Sequence, residues 1–189
     1  MKLGDLLDIT LSIPLKRLNQ DTSQTRERIV YNQTHFDNDS VGITLREEVD
    51  EDTILLDDGE TVVHEGDIII ACNTGRAALV HTAHEGYVIS MSFMRCTVRP
   101  NVSLDAGYLV YVLNEDQDIQ RQRRRLGQGS VIVRYTAPQI RDLTLRDIPT
   151  LDIQRRIGNI YEKTLRLEAL RKRVAERKRH MVLETLKGV

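Results

Sequence analysis

The stretch TLDIQRRIGNIYEKTLRLEALRKRVAERKRHMVLETLKGV, residues 150–189, reads as one long helix. It holds no proline and only one glycine, Gly158, before a closing Lys187-Gly188 stop. Thr150 suits the N-cap, and Asp152 in the first turn favours the helix dipole. At 1.5 Å per residue such a helix reaches about 50 Å, too long to pack only on a domain of this size. Its apolar residues return every seven positions, at Ile153, Ile160, Leu167, Val174 and Met181. Leu170 and Leu183 widen the stripe, and Ile157 and Leu165 add to it near the start. A seven-residue repeat sustained over this length calls for a partner helix. The companion series three positions on reads Arg156, Lys163, Leu170, Arg177 and Glu184, which does not make a tight two-stranded zipper. A single amphipathic helix folded back on its own domain is the other reading of the same pattern.

Working back from Pro149, residues 1–149 have a different texture, irregular and strand-rich. The expected class is therefore α+β: a strand-rich domain over 1–149 and one long coiled-coil helix over 150–189. Short β-branched runs at 29–31, 41–45, 53–56 and 61–63 predict strands. GDIIIACN, 66–73, is a continuous apolar run that predicts a buried strand, and the Thr-Gly-Arg at 74–76 turns it into a hairpin with 77–80. The longest expected strand is 87–99, with Ile89, Met91 and Phe93 on one face. Ser103 is the expected cap of a helix through Leu104, Tyr108 and Val112. Residues 131–135 read as a strand, and Pro138 as the first turn of a short helix with Ile140 and Leu143 inward. Cys72 and Cys96 lie in apolar stretches and read as buried, reduced core residues.

Composition narrows the function classes. No apolar run approaches the ~20 residues that a membrane span needs, and MKLGDLLDIT lacks a signal core, so a cytoplasmic setting is expected. The net charge of −1 conceals a polar distribution. Residues 1–60 hold six Lys/Arg against fourteen Asp/Glu; 121–146 hold seven Arg against Asp142 alone; 151–189 hold eleven against five. A basic end of this kind is a common footprint of a nucleic-acid binder, although basic stretches are also often solvated helix faces.

Catalytic signatures are missing. All four prolines are isolated, so no Asn/Asp-Pro-Pro-Tyr/Phe loop exists to hold a flipped adenine. No glycine-rich strand-to-helix turn and no Gly-Lys-Ser/Thr phosphate loop occurs. Histidine and cysteine show no ligand or nucleophile spacing. The expectation is a non-enzyme with no cofactor and no metal.

Several segments resemble, in order and with spacing intact, those of type I restriction–modification specificity (S) subunits. KLGDLLDI at 2–9 looks like the entry to a target recognition domain. GDIIIACNTGRAALV at 66–80 and YVISMSFMRCTVRPN at 87–101 resemble its central hairpin and long strand. YLVYVLN at 108–114 and GSVIVRYTAPQIRDLTLRDIP at 129–149 are similar to the helix that follows and the closing segment. IQRRIGNIYEKTLRLEALRKR at 153–173 looks like the start of the coiled-coil spacer. The resemblance implies a domain that grips double-stranded DNA and a helix that docks methyltransferase subunits, with restriction subunits as further partners. Catalysis would then come from those partners. Full specificity subunits carry two such domains and two antiparallel helices, and this chain has one of each. The resemblance thus points to a half-subunit completed by a second copy, a homodimer that reads an inversely repeated bipartite site. Its rival is an interaction protein that binds methyltransferase subunits and reads no DNA.

Candidate DNA contacts follow from local chemistry. The run Arg121, Arg123, Arg124 and Arg125 precedes a Gly-Gln-Gly loop with Gln128 and Ser130. Arginine meets phosphate and reads guanine through two parallel hydrogen bonds, and glutamine reads adenine. Asn73, Thr74 and Arg76 sit at a hairpin turn suited to DNA backbone. Arg134 and Arg141 extend the basic surface, and Gln33, Thr34 and Asn38 read as a polar loop. Ile153, Ile160, Leu167, Leu170, Val174 and Met181 are the expected helix-pairing residues.

Overall fold

Residues 1–12, 26–43, 51–56, 61–126 and 134–187 are described by the computed structural model of the chain. The fold is α+β. Strands β1 (Leu7–Leu11), β4 (Ile68–Ala71), β5 (Ala77–Leu79) and β7 (Phe93–Val98) form a four-stranded antiparallel sheet in the order β1-β7-β4-β5. Strands β2 (Arg26–Tyr31), β3 (Thr53–Leu56) and β6 (Val88–Ile89) form a smaller sheet in the order β3-β2-β6, with β2 and β6 parallel. Helices α1 (Gln33–Val41), α2 (Ala106–Glu115), α3 (Gln117–Leu126), α4 (Ala137–Asp142) and α5 (Leu151–Lys187) complete the described elements of that class.

The continuous apolar run at 68–71 has a direct cause. Successive side chains of a strand point to opposite faces, and here both faces are covered. Ile68 and Ile70 join Leu6, Met94, Leu109 and Ile140 in the main core. Ile69 and Ala71 join Tyr31, Phe36, Ile89 and Phe93 in the second. Cys72 and Cys96 are buried free thiols, and burial pushes Cys96 up to about 12.

Several expectations change. The region 87–99 is not one strand: Ser90–Ser92 turn the chain, so β6 pairs in the small sheet and β7 in the large one. Met91 consequently stands half-exposed and not beside Phe93 in the core. The helix after residue 103 is capped by Asp105, whose carboxylate accepts from Tyr108 N at 2.8 Å, and not by Ser103. Residues 134–135 are not strand, and 131–133 lie outside the described residues. Gln33, Thr34 and Asn38 lie on α1 and not in a loop. Asn32 caps that helix by accepting from Thr34 N and His35 N, and Gly42, at φ 64°, ends it where a strand over 41–45 was expected.

A buried polar group anchors α1. Asp39 accepts from Tyr31 OH at 2.7 Å, lies 2.8 Å from His84 Nδ1, and accepts from His81 N. His35 packs against Tyr31, His84 and Tyr87, and its Nδ1 accepts from Asn32 N. Burial, and then the neighbouring His84, hold His35 down at about 4 from an ordinary 6.5. The unfolded chain therefore binds a proton here that the folded chain refuses. This contribution to stability is complete above pH 6.5 and is lost as pH falls toward 4. At pH 5 the loss is about 2 kcal/mol. Urea midpoints at pH 7.5 and 5 should show it in the parent chain, and His35→Gln should reduce the difference between the two pH values.

Helix α5 leaves this body at a fixed joint. Its first four turns pack on α2 and α1 through Gln154, Ile157, Gly158, Tyr161 and Leu165. Beyond Leu165 none of the described residues of the domain lies beneath it, which is why Val174, Met181 and Leu186 are 51%, 68% and 66% exposed.

Candidate nucleic-acid interface

One end of the large sheet gathers residues from four places in the sequence. The β4–β5 turn presents Asn73, Thr74 and Arg76, all exposed. Cys72 N donates to Ser92 O at 2.8 Å, which ties this turn to the Ser90–Ser92 turn. Tyr135 N donates to Cys72 O at 2.7 Å and brings in the segment at 134–136, where Arg134 donates to the Met91 carbonyl. The last turn of α3 joins through Arg123, whose guanidinium donates to Gly75 O. Gly75 is needed at this point: its φ is 67°, and a Cβ there would lie 2.9 Å from the Tyr135 ring.

The arginines expected to bind DNA divide by environment. Arg123 is 8% exposed and spends its donors on the fold, and burial lowers its proton affinity. Arg121 faces Asp118 at 3.0 Å, and Arg146 lies 3.9 Å from the same carboxylate. Arg141 lies on α4 and donates to Ile9 O at 3.0 Å. Arg124 and Arg125 are exposed on the α3 turn that carries Arg123, and Arg134 is exposed beside Met91. Asn38 is buried on α1, while Gln33 is exposed and donates to Asp37. Gln128 and Ser130 lie outside the described residues. The structure thus brings Asn73, Thr74, Arg76, Arg124, Arg125 and Arg134 to one region, with Arg134 bonded to the Met91 carbonyl and Arg123 buried beneath, and places Asn38 on α1 and Arg141 on α4. Sequence reasoning missed Met91 and Ser92 at this tip, because the run at 87–99 carries no turn signal between its strands.

The expected helix-pairing residues all lie in the open. Ile153, Ile160, Leu167, Leu170, Val174 and Met181 are between 41% and 68% exposed, on a face other than the one that packs on α2. Among the described residues no group of His, Cys, Asp or Glu could hold a metal ion, and no helix is long and apolar enough to cross a membrane.

No family model matches the chain, and no curated protein matches it in sequence. Solved structures do match. A chain of the type I restriction–modification (R-M) system, described in connection with complex assembly and conformational transition, superposes over 98% of this chain and 42% of its own, with TM-score 0.60 and 17% identity. The HsdS subunit from Thermoanaerobacter tengcongensis matches over 93% and 39%, with TM-score 0.54 and 15% identity. The type I restriction–modification S subunit from M. genitalium matches over 98% and 43%, with TM-score 0.55 and 11% identity. The chain has the fold of a type I restriction–modification specificity subunit, over about two-fifths of such a subunit's length.

Proposed function

We propose that the chain is a DNA-reading half-subunit of a type I restriction–modification system. In this reading two copies pair antiparallel through α5, bind a bipartite site, and bring methyltransferase and restriction subunits to it. Chemistry comes from those partners. The observation that carries the reading is the exposed apolar stripe of α5, which recurs at five successive heptad positions and is turned away from its own domain.

An antiparallel pair accounts for the mixed seam. Leu167 and Leu170 are the only point where both series are apolar, and they lie near the middle of a helix that runs from 151 to 187. A two-fold axis there sets each Leu167 against the second copy's Leu170, which makes the patch self-complementary. Ile153, Ile160, Val174 and Met181 then meet the aliphatic stems of the second copy's Glu184, Arg177, Lys163 and Arg156. Charged side chains cover apolar surface in this way while their heads stay in water.

The same register sets a distance. Gly158, at the centre of the docked stretch, falls opposite the second copy's Arg179. The two domains are therefore about 32 Å apart along the pair, from 1.5 Å per residue. One turn of DNA is roughly 34 Å. Both domains then meet the same side of a duplex, with Arg124, Arg125 and Arg134 on phosphates and Asn73 and Thr74 at the groove.

The test is to measure the mass of the purified chain in solution, then incubate it with methyltransferase subunits and a randomised DNA pool. A dimer that enriches one inverted, split sequence, its halves centred about ten base pairs apart, is the expected result. A chain that joins methyltransferase and enriches nothing overturns DNA reading in favour of an interaction protein. A monomer that does neither overturns both.

A further inference from the structure

Helix α5 is not merely laid against its domain. At Gly158 it crosses α2 backbone to backbone: a Cβ on Gly158 would lie 2.7 Å from Tyr108 N and 2.8 Å from the Gly107 carbonyl carbon. Gly107 faces it, with the Gly158 Cα 3.6 Å from where its own Cβ would stand. One turn earlier, Gln154 is 1% exposed and fully used. Its Oε1 accepts from Asp105 N at 2.8 Å, and its Nε2 donates to Ser103 O at 3.2 Å and Pro149 O at 2.8 Å. One turn later, Tyr161 OH donates to Glu115 at 2.8 Å and its ring meets Tyr111 edge-on. Three successive turns are thus fixed by contacts of different kinds. Side chains that interdigitate permit a choice of crossing angles. Two glycine backbones in contact, with a glutamine bonded to three backbone groups beside them, leave far less.

We infer that the Gly107–Gly158 crossing, locked by Gln154, determines the separation of DNA half-sites that the pair accepts. This rests on the DNA-reading dimer proposed above. In the proposed pair the second copy's joint lies about 32 Å along the helices from Gly158, from 1.5 Å per residue. A 10° change at the joint moves that second joint by about 5–6 Å, which is about one and a half base-pair steps of roughly 3.4 Å each. The two-fold axis applies the same change to both domains. Helix length alone therefore does not set the gap. Gly107, Gln154 and Gly158 are positioning residues: they touch no DNA and act by aiming the domain that does.

The experiment uses the full chain and Gly158→Ala, whose Cβ forces α2 and α5 apart. Spin labels on Asn101→Cys and Glu176→Cys, diluted with unlabelled chain, report the domain-to-helix distance within one copy. The buried Cys72 and Cys96 remain in place. DNA selection from a pool with varied gaps reports the accepted separation, and binding to a single half-site reports the reading surface. The parent chain should give one narrow distance and one gap. Gly158→Ala should shift or broaden the distance by several ångströms and move or widen the accepted gap by at least one base pair. Half-site affinity should stay within twofold. An unchanged gap in the folded variant overturns the inference, whether or not the distance moves. If Gly158→Ala does not fold, Gly107→Ala decides. Its Cβ meets nothing closer than 3.3 Å, so a smaller change in the same direction is expected, and an unchanged gap again overturns it. A parent chain that dimerises but enriches no split sequence sinks the DNA reading itself, and the claim about the gap with it.

Discussion

Leu167→Asp combined with Leu170→Asp should turn the dimer into a monomer with an unaltered fold. In the proposed pair these positions place four leucines around the two-fold axis, where the seam has no charged member. Burying a leucine fully contributes about 1.5–3 kcal/mol; these are already about half-buried in the single chain, so losing four costs about 3–6 kcal/mol, or ~10²–10⁴-fold in the dimer constant. Four carboxylates facing one another add to this. Both leucines are nearly half-exposed in the single chain, at 48% and 41%, and neither contributes to a core cluster. Circular dichroism and the thermal midpoint of the domain should therefore hold while sedimentation drops to the mass of one chain. Affinity for a split site should fall by about 10²–10⁴, because the second domain no longer acts at the high effective concentration that linkage supplies. Single half-site binding should not change. A variant that remains dimeric would place the interface elsewhere and remove the basis for the spacing derived from α5.

The parts of this fold that were legible in the sequence are those where period and burial agree. Helix α5 announces itself by 37 residues without proline and a heptad of apolar side chains. Strands β4 and β5 were readable because Ile68–Ala71 is buried on both faces, with a glycine at the only turn between them. Helix α1 was not. Phe36 is its one large apolar residue buried in the core, and it buries His35, Asn38 and Asp39, so no apolar period marks it. Its stability comes from the Asn32 cap and the Asp39 bonds to Tyr31 and His81, which join parts of the chain up to 42 residues apart. The run 87–99 misled for the opposite reason. Its alternation is regular, but hydrogen bonds from Cys72 and Arg134 to the 91–92 turn divide it between two sheets. The basic run at 121–125 showed its charge in the sequence but not its facing. Only the contact with Gly75 separates Arg123, which holds the hairpin, from Arg124 and Arg125, which stand free of the core.

That separation leaves Arg124 and Arg125, with Arg134, as the arginines placed to meet DNA in the proposed pair. Arg124→Gln, Arg125→Gln and Arg134→Gln, combined, remove three charges from the proposed DNA-facing end. If each meets a phosphate, the slope of log affinity against log salt should fall by about 2.7 for a single half-site and about twice that for the split site, from ~0.9 per contact. Half-site affinity near physiological salt should drop by about 10²–10³, on the order of 1 kcal/mol or somewhat more for each charge-assisted bond. The enriched sequence should stay the same, because phosphate contacts set register and carry no base information. Arg121→Gln is the matched comparison. Its guanidinium already faces Asp118 at 3.0 Å, so it has less charge to offer DNA and its loss should change the slope by well under one. Fluorescence anisotropy titrations at four salt concentrations measure both quantities. A triple variant with the parent slope would mean that this end of the sheet does not meet the backbone. A triple variant with a changed target sequence would mean that at least one of these arginines reads a base.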